Sequence, residues 1–438
     1  MKPLEKGSPK LMNAWAFYDW ANSVYPLVIS SSIFPLYYGY LFTKDNLNIE
    51  VFGTTFKNTA LISYVTALAF LVVALLSPIL SGIADFAGNK KRFMQFFCYL
   101  GALSCIGMYW FTLENIYFGI TCFFFGLIGF WGSLVFYNSY LPDIAFKEQQ
   151  DRLSARGFSM GYFGSVILLL ANLYMILSKE GEEALHAMRL GFAMTGAWWI
   201  VFSQYAFYYL PKGNKNADKI TRDVLFNGYK ELRKVQQQLL QNLSLYRYLI
   251  AFFVYSMAVQ TVMLVATYFG EQEINWVSDS EKTSGLIISI LVIQLVAIVG
   301  ATLTSRASEK FGNINTLIVI NSIWAIICVF AYFVTEPIEF YITAGFVGMV
   351  MGGIQALSRS TYSKFLPKTE DTTSFFSFYD VTEKVGIVVG MAIYGYIDQT
   401  TGSMRNSIGF LMVFFVLGVI LLLRVPKTPL QDKGVLED

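Results

Sequence analysis

The sequence predicts an all-α, polytopic membrane protein with about 12 transmembrane helices in two six-helix bundles. Three observations predict this class. Hydrophobic residues make up 55% of the 438 residues and charged residues only 14%, whereas a soluble domain carries roughly 25% charged residues. About twelve apolar runs approach the roughly 20 residues that a spanning helix needs. One long polar segment divides these runs into two equal sets.

The apolar runs set the domain organisation. The first six lie at about 13–42, 58–83, 93–112, 116–141, 153–178 and 188–210, and the last six at about 246–270, 283–304, 315–334, 338–365, 375–397 and 407–425. We therefore predict an N-terminal six-helix half (1–211), a linker (212–245) and a C-terminal six-helix half (246–438). Apolar linker residues such as Leu232, Val235 and Leu239 recur at helical spacing, which indicates an amphipathic helix at the membrane surface. A regulatory or partner-binding role is the alternative to a simple connection.

The distribution of basic residues predicts the orientation. With a cytoplasmic N-terminus, 25 of the 32 lysine and arginine residues fall in cytoplasmic segments and six in the outer loops. Cytoplasmic connections of membrane proteins carry an excess of basic residues. We therefore expect both termini in the cytoplasm.

Composition argues against several classes of function. The chain has one histidine, His186, and its four cysteines lack the spacing of a metal site or disulfide framework, so they are predicted to be small core residues: Cys98, Cys105, Cys122 and Cys328. A Gly-Lys-Ser or Gly-Lys-Thr phosphate loop is absent, which argues against ATP hydrolysis. No nucleophile motif and no stripe of basic residues stands out. We therefore expect that the protein is not an enzyme and that it binds no cofactor, metal ion or nucleic acid.

Two short loops repeat each other. Asp85-Phe86-Ala87-Gly88-Asn89 and Glu309-Lys310-Phe311-Gly312-Asn313 both place an acid three residues before Gly-Asn. Each follows the second predicted helix of its half. This internal repeat predicts two related halves.

The first of these loops resembles the signature of the major facilitator superfamily between helices 2 and 3. It has a glycine, an aspartate three residues later, then a glycine and a basic cluster: Gly82, Asp85, Gly88, Lys90, Lys91 and Arg92. In that superfamily the loop is a conformational latch. The resemblance implies the same role here, and Glu309 is its counterpart in the second half.

Longer strings are similar to one branch of the superfamily, the family of the fungal vacuolar amino-acid effluxer and its bacterial members. They are AWAFYDWANS at 14–23, RGFSMGY at 156–162, GIQALSRS at 353–360 and SFFSFYD at 374–380. The resemblance implies a secondary active or facilitative transporter of a small solute that works by alternating access. Amino acids or related metabolites, moved by efflux, are the implied substrates.

The resemblance leaves the mode of action open. The energy source is an ion gradient, with protons as the first candidate, or simple downhill flow. A carrier of lipid or cell-wall fragments, and a non-transporting membrane sensor or scaffold on the same fold, are the alternatives. We expect a monomer in contact with membrane lipids, in the cytoplasmic (inner) membrane of a bacterium.

Asp19 lies in the first apolar run, with Asn22 and Ser23 on the same helical face and Pro26 beyond them. A charge in hydrocarbon is unfavourable and marks a candidate functional residue. Asp19 is a proton acceptor, a partner for a substrate amine, or a member of a structural ion pair. Since proline interrupts helical hydrogen bonding, the first helix is expected to bend.

The eleventh run carries Asp380, Glu383 and Lys384. Asp380 and Lys384 have the i,i+4 spacing of an intrahelical ion pair. The alternative is that Lys384 or Glu383 pairs with Asp19 across the two halves. With Asp19, these acids form the basis of the proton-coupling hypothesis.

Further candidates lie at helix ends and within the apolar runs. Arg152, Arg156 and Arg359 either anchor the topology or pair with Asp143, Glu148 or Asp151 in a gate, and Arg359 is also a candidate for a substrate carboxylate. Uncharged polar residues within helices contact substrate or join helices: Tyr64, Asn138, Asn172, Tyr255, Gln260, Gln294 and Gln355. Glycines at helical spacing, such as Gly348 and Gly352, predict close helix packing.

Overall fold

The computed structural model describes residues 4–42, 48–51, 53–212 and 222–426. The chain begins with α1 (Pro9–Asn22), a π-helix (Tyr25–Ser32), α2 (Ile33–Tyr40) and an antiparallel hairpin of β1 (Asn48–Val51) and β2 (Thr54–Lys57). It continues with α3 (Asn58–Phe86), α4 (Lys90–Gly107), a 3₁₀ turn (Met108–Trp110), α5 (Ile116–Ser139), α6 (Leu141–Ile144), α7 (Lys147–Leu177) and α8 (Gly181–Tyr209).

The second part of the chain contains only helices in its described residues. They are α9 (Arg222–Gln241), α10 (Leu243–Glu273), α11 (Asp279–Phe311), α12 (Asn313–Phe333), α13 (Pro337–Phe365), α14 (Thr372–Thr401) and α15 (Met404–Leu422). We refer to α1–α8 as the first group and to α10–α15 as the second group.

Within the described ranges, nine helices are long and apolar enough to cross a membrane, counting α5 and α6 as one. The predicted all-α, polytopic membrane fold is confirmed. The other three predicted spans correspond to the α1–α2 run, to α8 and to α14. Asp380, Glu383 and Lys384 lie near the middle of α14, and the π-helix divides the first run.

The buried apolar side chains form two large clusters. One runs from Leu11 to Leu210, and the other draws chiefly on Val235 to Val425. Each group of long helices therefore packs mainly around its own core. The four cysteines are buried in these clusters, which confirms their prediction as core residues.

Pro26 disturbs the first helix as expected. It lies in the first turn of the π-helix that separates α1 from α2. Because proline has no N–H to donate, a wider turn is one way to accommodate it within a continuous helical run. Asp19 and Asn22 therefore lie in the last turn of α1, next to the irregular segment.

The repeated loops share a glycine with positive φ, although three residues separate α3 from α4 and only Gly312 separates α11 from α12. Gly88 after α3 has φ +58°, and Gly312 after α11 has φ +82°. Only glycine adopts such values without steric strain. Each turn leads at once into the next helix, α4 or α12, so the sequence repeat is also a structural repeat. We call the end of the molecule that carries both turns the latch end.

The linker helix α9 packs on protein. It lies against α3 and also contacts α10 and α14. Val235 and Leu239 are buried, and the Lys234 ammonium donates to the Asp371 carboxylate at 3.2 Å, just before α14. The described part of the linker therefore bridges both groups, and its predicted position at the membrane surface stays a prediction; residues 213–221 lie outside the described residues.

Helices α11 and α13 cross at small residues. A Cβ atom added at Gly352 would overlap the backbone carbonyl oxygen of Ala297, and one at Gly300 would overlap that of Met349. The backbones therefore touch without intervening side chains, as predicted for the glycine pairs in α13.

We expect Gly352→Ala to destabilise the protein by about 1–3 kcal/mol, because its methyl group must displace backbone in a packed interface. Gly345→Ala in the same helix is a matched control. Its Cβ would meet nothing within 4 Å, so the higher helix propensity of alanine should leave stability unchanged or slightly raised. Thermal unfolding of both variants in the same detergent tests this expectation, and equal midpoints would contradict it.

Candidate functional site

A buried ion pair joins the two groups of helices. Arg359 of α13 donates through Nη2 to Oδ2 of Asp19 in α1 at 3.3 Å, and both side chains are at most 5% exposed. The Tyr137 hydroxyl donates to the same carboxylate oxygen at 2.7 Å. Arg359 also donates to Asn138 Oδ1 at 3.2 Å and to Ser154 Oγ at 3.0 Å. Both charges are therefore compensated away from water.

Aromatic rings enclose this arginine. The guanidinium carbon lies 4.2 Å from the ring centroid of Phe158, 4.7 Å from Trp15 and 5.5 Å from Tyr137. The Trp15 and Tyr137 rings stack at 4.5 Å. Gly157 leaves room for the pair, because a Cβ atom there would overlap Asp19 Oδ2. Cation–π contacts and close packing fix the position of Arg359.

The partner of Asp19 is Arg359, so the alternative in which Lys384 or Glu383 pairs with Asp19 is not formed, whereas the intrahelical pair of Asp380 and Lys384 is present as the spacing predicts. Lys384 instead donates to Asp380 Oδ1 at 2.7 Å and to Glu383 Oε2 at 3.2 Å within α14. The i,i+4 pair is local and forms as soon as the helix forms. The partner of Asp19 depends on how the two groups of helices meet.

The α14 charges form a second buried cluster at the interface. Lys384 Nζ lies 3.8 Å from the ring centroid of Trp131 in α5. Gln260 of α10 donates to Glu383 Oε1 at 2.8 Å. Asp380 Oδ2 is buried and accepts no hydrogen bond. The cluster thus touches both groups of helices.

The α3–α4 loop closes the latch end against α14. Asp85 accepts the backbone N–H groups of Thr373 at 3.2 Å and Ser374 at 2.6 Å, in the first turn of α14. Carboxylates are favoured at helix N-termini, where N–H groups lack helical partners. Lys90 pairs with Asp143 and donates to Thr372 Oγ1 at 3.1 Å.

The α11–α12 loop makes a corresponding contact with α7. Asn313 donates to Asp151 Oδ1 at 2.8 Å, and Ser308 donates to Asp151 Oδ2 at 3.1 Å. Lys364 of α13 pairs with the same aspartate. Glu309 lies 3.8 Å from Arg152, whose side chain is 80% exposed, so this pair contributes little. Both repeated loops therefore tie one group to the other.

The remaining latch candidates either contact their own group of helices or are exposed. Lys91 donates to the backbone carbonyl of Leu210 at 2.7 Å, at the end of α8. Gly82 is buried, whereas Arg92 and Arg156 are exposed. Arg359, predicted to pair with Asp143, Glu148 or Asp151 if it served a gate, instead reaches Asp19. Asp143 is paired with Lys90 instead, and Asp151 is paired with Lys364.

Three of the uncharged candidates join the interface. Gln355 accepts from the Tyr162 hydroxyl at 2.7 Å, across the two groups. Asn138 accepts a hydrogen bond from Arg359, and Gln260 donates one to Glu383. Tyr255 is buried within the second group, where its hydroxyl lies 2.7 Å from Ser358 Oγ.

The other uncharged candidates do not share this position. Tyr64 of α3 is 64% exposed, so its predicted contact with a cavity or a neighbouring helix stays a prediction. Asn172 is fully buried, donates to Leu168 O at 2.8 Å and lies against Gly191 of α8. Gln294 is half-buried, and Asn22 is buried beside Ser23 at 3.3 Å.

Sequence reasoning missed several residues of the site. Tyr137, Ser154, Trp131 and Lys364 all contact its charges. Tyrosine and tryptophan are common in membrane helices, so their type alone gave no signal. Ser154 lies three residues after Asp151, on the same helical face, so helical periodicity is the signal that points to it. Lys364 lies five residues after Arg359, which is not a same-face spacing, and its position gave no such signal.

The chain resembles known transporters over almost its whole length. The family described as "Vacuole effluxer Atg22 like" matches residues 7–429. The uncharacterized MFS-type transporter YxiO of Bacillus subtilis (strain 168) is 31% identical over 433 residues, which cover 97% of this chain and 96% of the relative. Autophagy-related protein 22 of Saccharomyces cerevisiae (strain YJM789) is 23% identical over 418 residues, covering 81% and 76%.

Solved structures share the fold. The proton:xylose symporter XylE superposes with a TM-score of 0.71 at 14% identity, covering 95% of this chain and 96% of XylE. The Escherichia coli fucose:proton symporter FucP gives 0.68 at 13% identity, covering 96% and 98%.

The fold and the paired loops that tie two groups of helices together define a major facilitator superfamily transporter, an integral multi-pass membrane protein. Within that superfamily, the chain belongs to the Atg22-like vacuole effluxer family.

Proposed function

We propose that this transporter exports amino acids or closely related zwitterions by alternating access between two six-helix halves, residues 1–211 and 246–438. Both termini face the cytoplasm in this proposal, so the latch end is the cytoplasmic end. The protein resides in the inner membrane of a bacterium. The conformation described is the one closed to the cytoplasm. In it the contacts of the latch end are formed by Asp85, Lys90, Asp151 and Lys364.

The buried Asp19–Arg359 pair is the observation that carries this proposal. A carboxylate and a guanidinium that face each other across an interface match the ammonium and carboxylate groups of an amino acid. When the latch end opens, the two charges separate and each needs a new partner. A zwitterion supplies both, whereas a neutral sugar supplies neither.

The exchange of partners also supports alternating access. Leaving either residue buried without its partner is strongly unfavourable, by several kcal/mol. A solute that compensates both charges therefore favours the open arrangement through its differential affinity for the two states. The relatives named after the vacuole effluxer are consistent with this direction of transport.

The test uses purified protein in liposomes and radiolabelled neutral amino acids. We expect counterflow of amino acids, with Asp19→Asn and Arg359→Gln each lowering apparent affinity about 10–100-fold, since a hydrogen bond to a charged group contributes about 1.5–3 kcal/mol. The control is Arg306→Gln at an exposed position of α11, which should transport normally. Competition by zwitterions, but not by amines that lack a carboxylate, is also expected.

Two results would contradict the proposal. One is unchanged counterflow when both Asp19 and Arg359 are replaced. The other is a thermal-shift screen in which lipids or sugars, and no amino acid, stabilise the protein, since a ligand of the native state raises its stability by mass action.

A further inference from the structure

The cluster of Asp380, Glu383 and Lys384 has an unbalanced charge. Two acids and one lysine leave one negative charge in excess when all three are ionised. Asp380 is 6% exposed and Lys384 is 1% exposed. A net charge so deeply buried in a membrane-spanning helix is unfavourable unless it is compensated.

Of the residues that the structure describes, Lys384 is the one cation that pairs with these acids. Arg359 of α13 acts on the neighbouring Tyr379, but it is paired with Asp19. Trp131 is the contact from α5, and Ser77 of α3 interacts with the Asp380 carboxyl. Tyr255 of α10 and Tyr379 of α14 interact with Glu383. The linker helix α9 carries its charges at the latch end. The charged residues of α3, α10 and α15, which also pack on α14, lie near the ends of their helices: Asp85, Arg247, Glu271, Glu273 and Arg405.

The two acids differ in their hydrogen bonds. Both oxygens of Glu383 accept one, from Gln260 and from Lys384. Asp380 accepts from Lys384 through Oδ1 only, and Oδ2 is buried without a donor. Asp380 is thus the acid whose ionised form has the less complete set of partners.

We propose that Asp380 carries the proton that couples transport to the proton gradient, with the proton on Oδ2. The inference rests on the proposed transport function and adds its coupling ion and site. Uptake of one proton from water converts the carboxylate to a carboxylic acid and brings the cluster from one negative charge to neutrality. Asp19 is not this site, because Arg359 already compensates its charge.

A metal ion fits the cluster less well than a proton. Hard cations take six or more oxygen ligands or retain several waters. The Lys384 ammonium, 2.7 Å from Asp380 Oδ1, repels a second cation, whereas a proton adds no ion to the site. Among the described residues, no group of three or more histidine, cysteine or acidic side chains suits a metal.

The test is infrared difference spectroscopy of the full chain in lipid nanodiscs during a pH titration. We expect the carbonyl band of a protonated carboxylic acid, which disappears as pH rises. Asp380→Asn should abolish this band, Asp380→Glu should restore it at a shifted frequency, and Asp19→Asn should leave it in place. Thermal unfolding of each variant verifies that it is folded.

Three results would overturn the inference: a band that persists in Asp380→Asn, a band that is lost in Asp19→Asn, or no protonated band at any pH at which the protein is folded. Exchange of sodium chloride for choline chloride should change nothing, and a sodium-dependent spectrum would overturn it in favour of a metal ion. The band reports protonation and not flux. The assignment of the proton to Asp380 can therefore be judged separately from the proposed transport of amino acids, even if the reconstituted protein moves none.

Discussion

Replacing Arg359 with methionine is expected to open the latch end. The substitution leaves Asp19 buried without its cation, and breaking a buried ion pair in this way is unfavourable by about 3–5 kcal/mol. The pair joins α1 to α13 across the interface, so the loss falls on the closed conformation. Since about 1.4 kcal/mol corresponds to a tenfold change in an equilibrium constant, the ratio of open to closed protein should rise by about 10² to 4 × 10³-fold.

The opening can be measured with a cysteine at position 373. Thr373 is fully buried where α14 meets the α3–α4 loop, and the four native cysteines are buried as well. Maleimide labelling of Thr373→Cys should accelerate in the Arg359→Met background and stay slow with Arg306→Met. Adding Asp19→Asn to Arg359→Met removes the unpaired charge and should restore slow labelling. Labelling at the original rate in Arg359→Met would contradict the expectation.

The second large effect is expected at Lys384. Lys384→Met removes the one cation of the α14 cluster and its contact with Trp131. At least one buried carboxylate then lacks a charged partner, and we expect the free energy of unfolding to fall by about 3–5 kcal/mol. Unfolding of purified protein, followed by tryptophan fluorescence, measures the change.

The charges of the cluster provide the controls for this second prediction. Adding Asp380→Asn to Lys384→Met should recover part of the stability, and adding Glu383→Gln as well should recover most of it, because no unpaired carboxylate remains. Lys147→Met at an exposed position of α7 should change stability by less than about 0.5 kcal/mol. An equal loss in the single and triple variants would show that packing of the lysine stem, and not charge, is responsible.

Local features of the structure followed from the sequence. Long apolar runs predicted the spanning helices, because a helix satisfies its own backbone groups in lipid. Pro26 predicted the irregular first helix, and the Gly-Asn loops predicted two tight turns, both with positive φ at glycine. The Asp380–Lys384 pair needed only helical spacing. In each case the physical cause lies within a few residues of its effect.

Contacts between distant segments did not follow in the same way. Asp19 and Arg359 are separated by 340 residues, and their meeting depends on how two bundles are placed and rotated against each other. The sequence singled out Asp19 through the cost of burying charge and Arg359 as a basic residue at a helix end, but it offered only Lys384 or Glu383 as partners of Asp19 across the two halves. The docking of α9 on α3 depends on tertiary packing as well.

The glycine crossing of α11 and α13 has a mechanical consequence. Backbone atoms of these helices touch at Gly300 and Gly352, so one helix cannot slide past the other without carbonyl oxygens striking Cα atoms. Arg359 and Gln355 lie on α13, and α11 packs against α7. We therefore expect the two helices to tilt together, so that a movement that starts at Arg359 also moves α11 against α7. Bulk introduced at the crossing should accordingly appear in the rate of turnover before it appears in the affinity for solute.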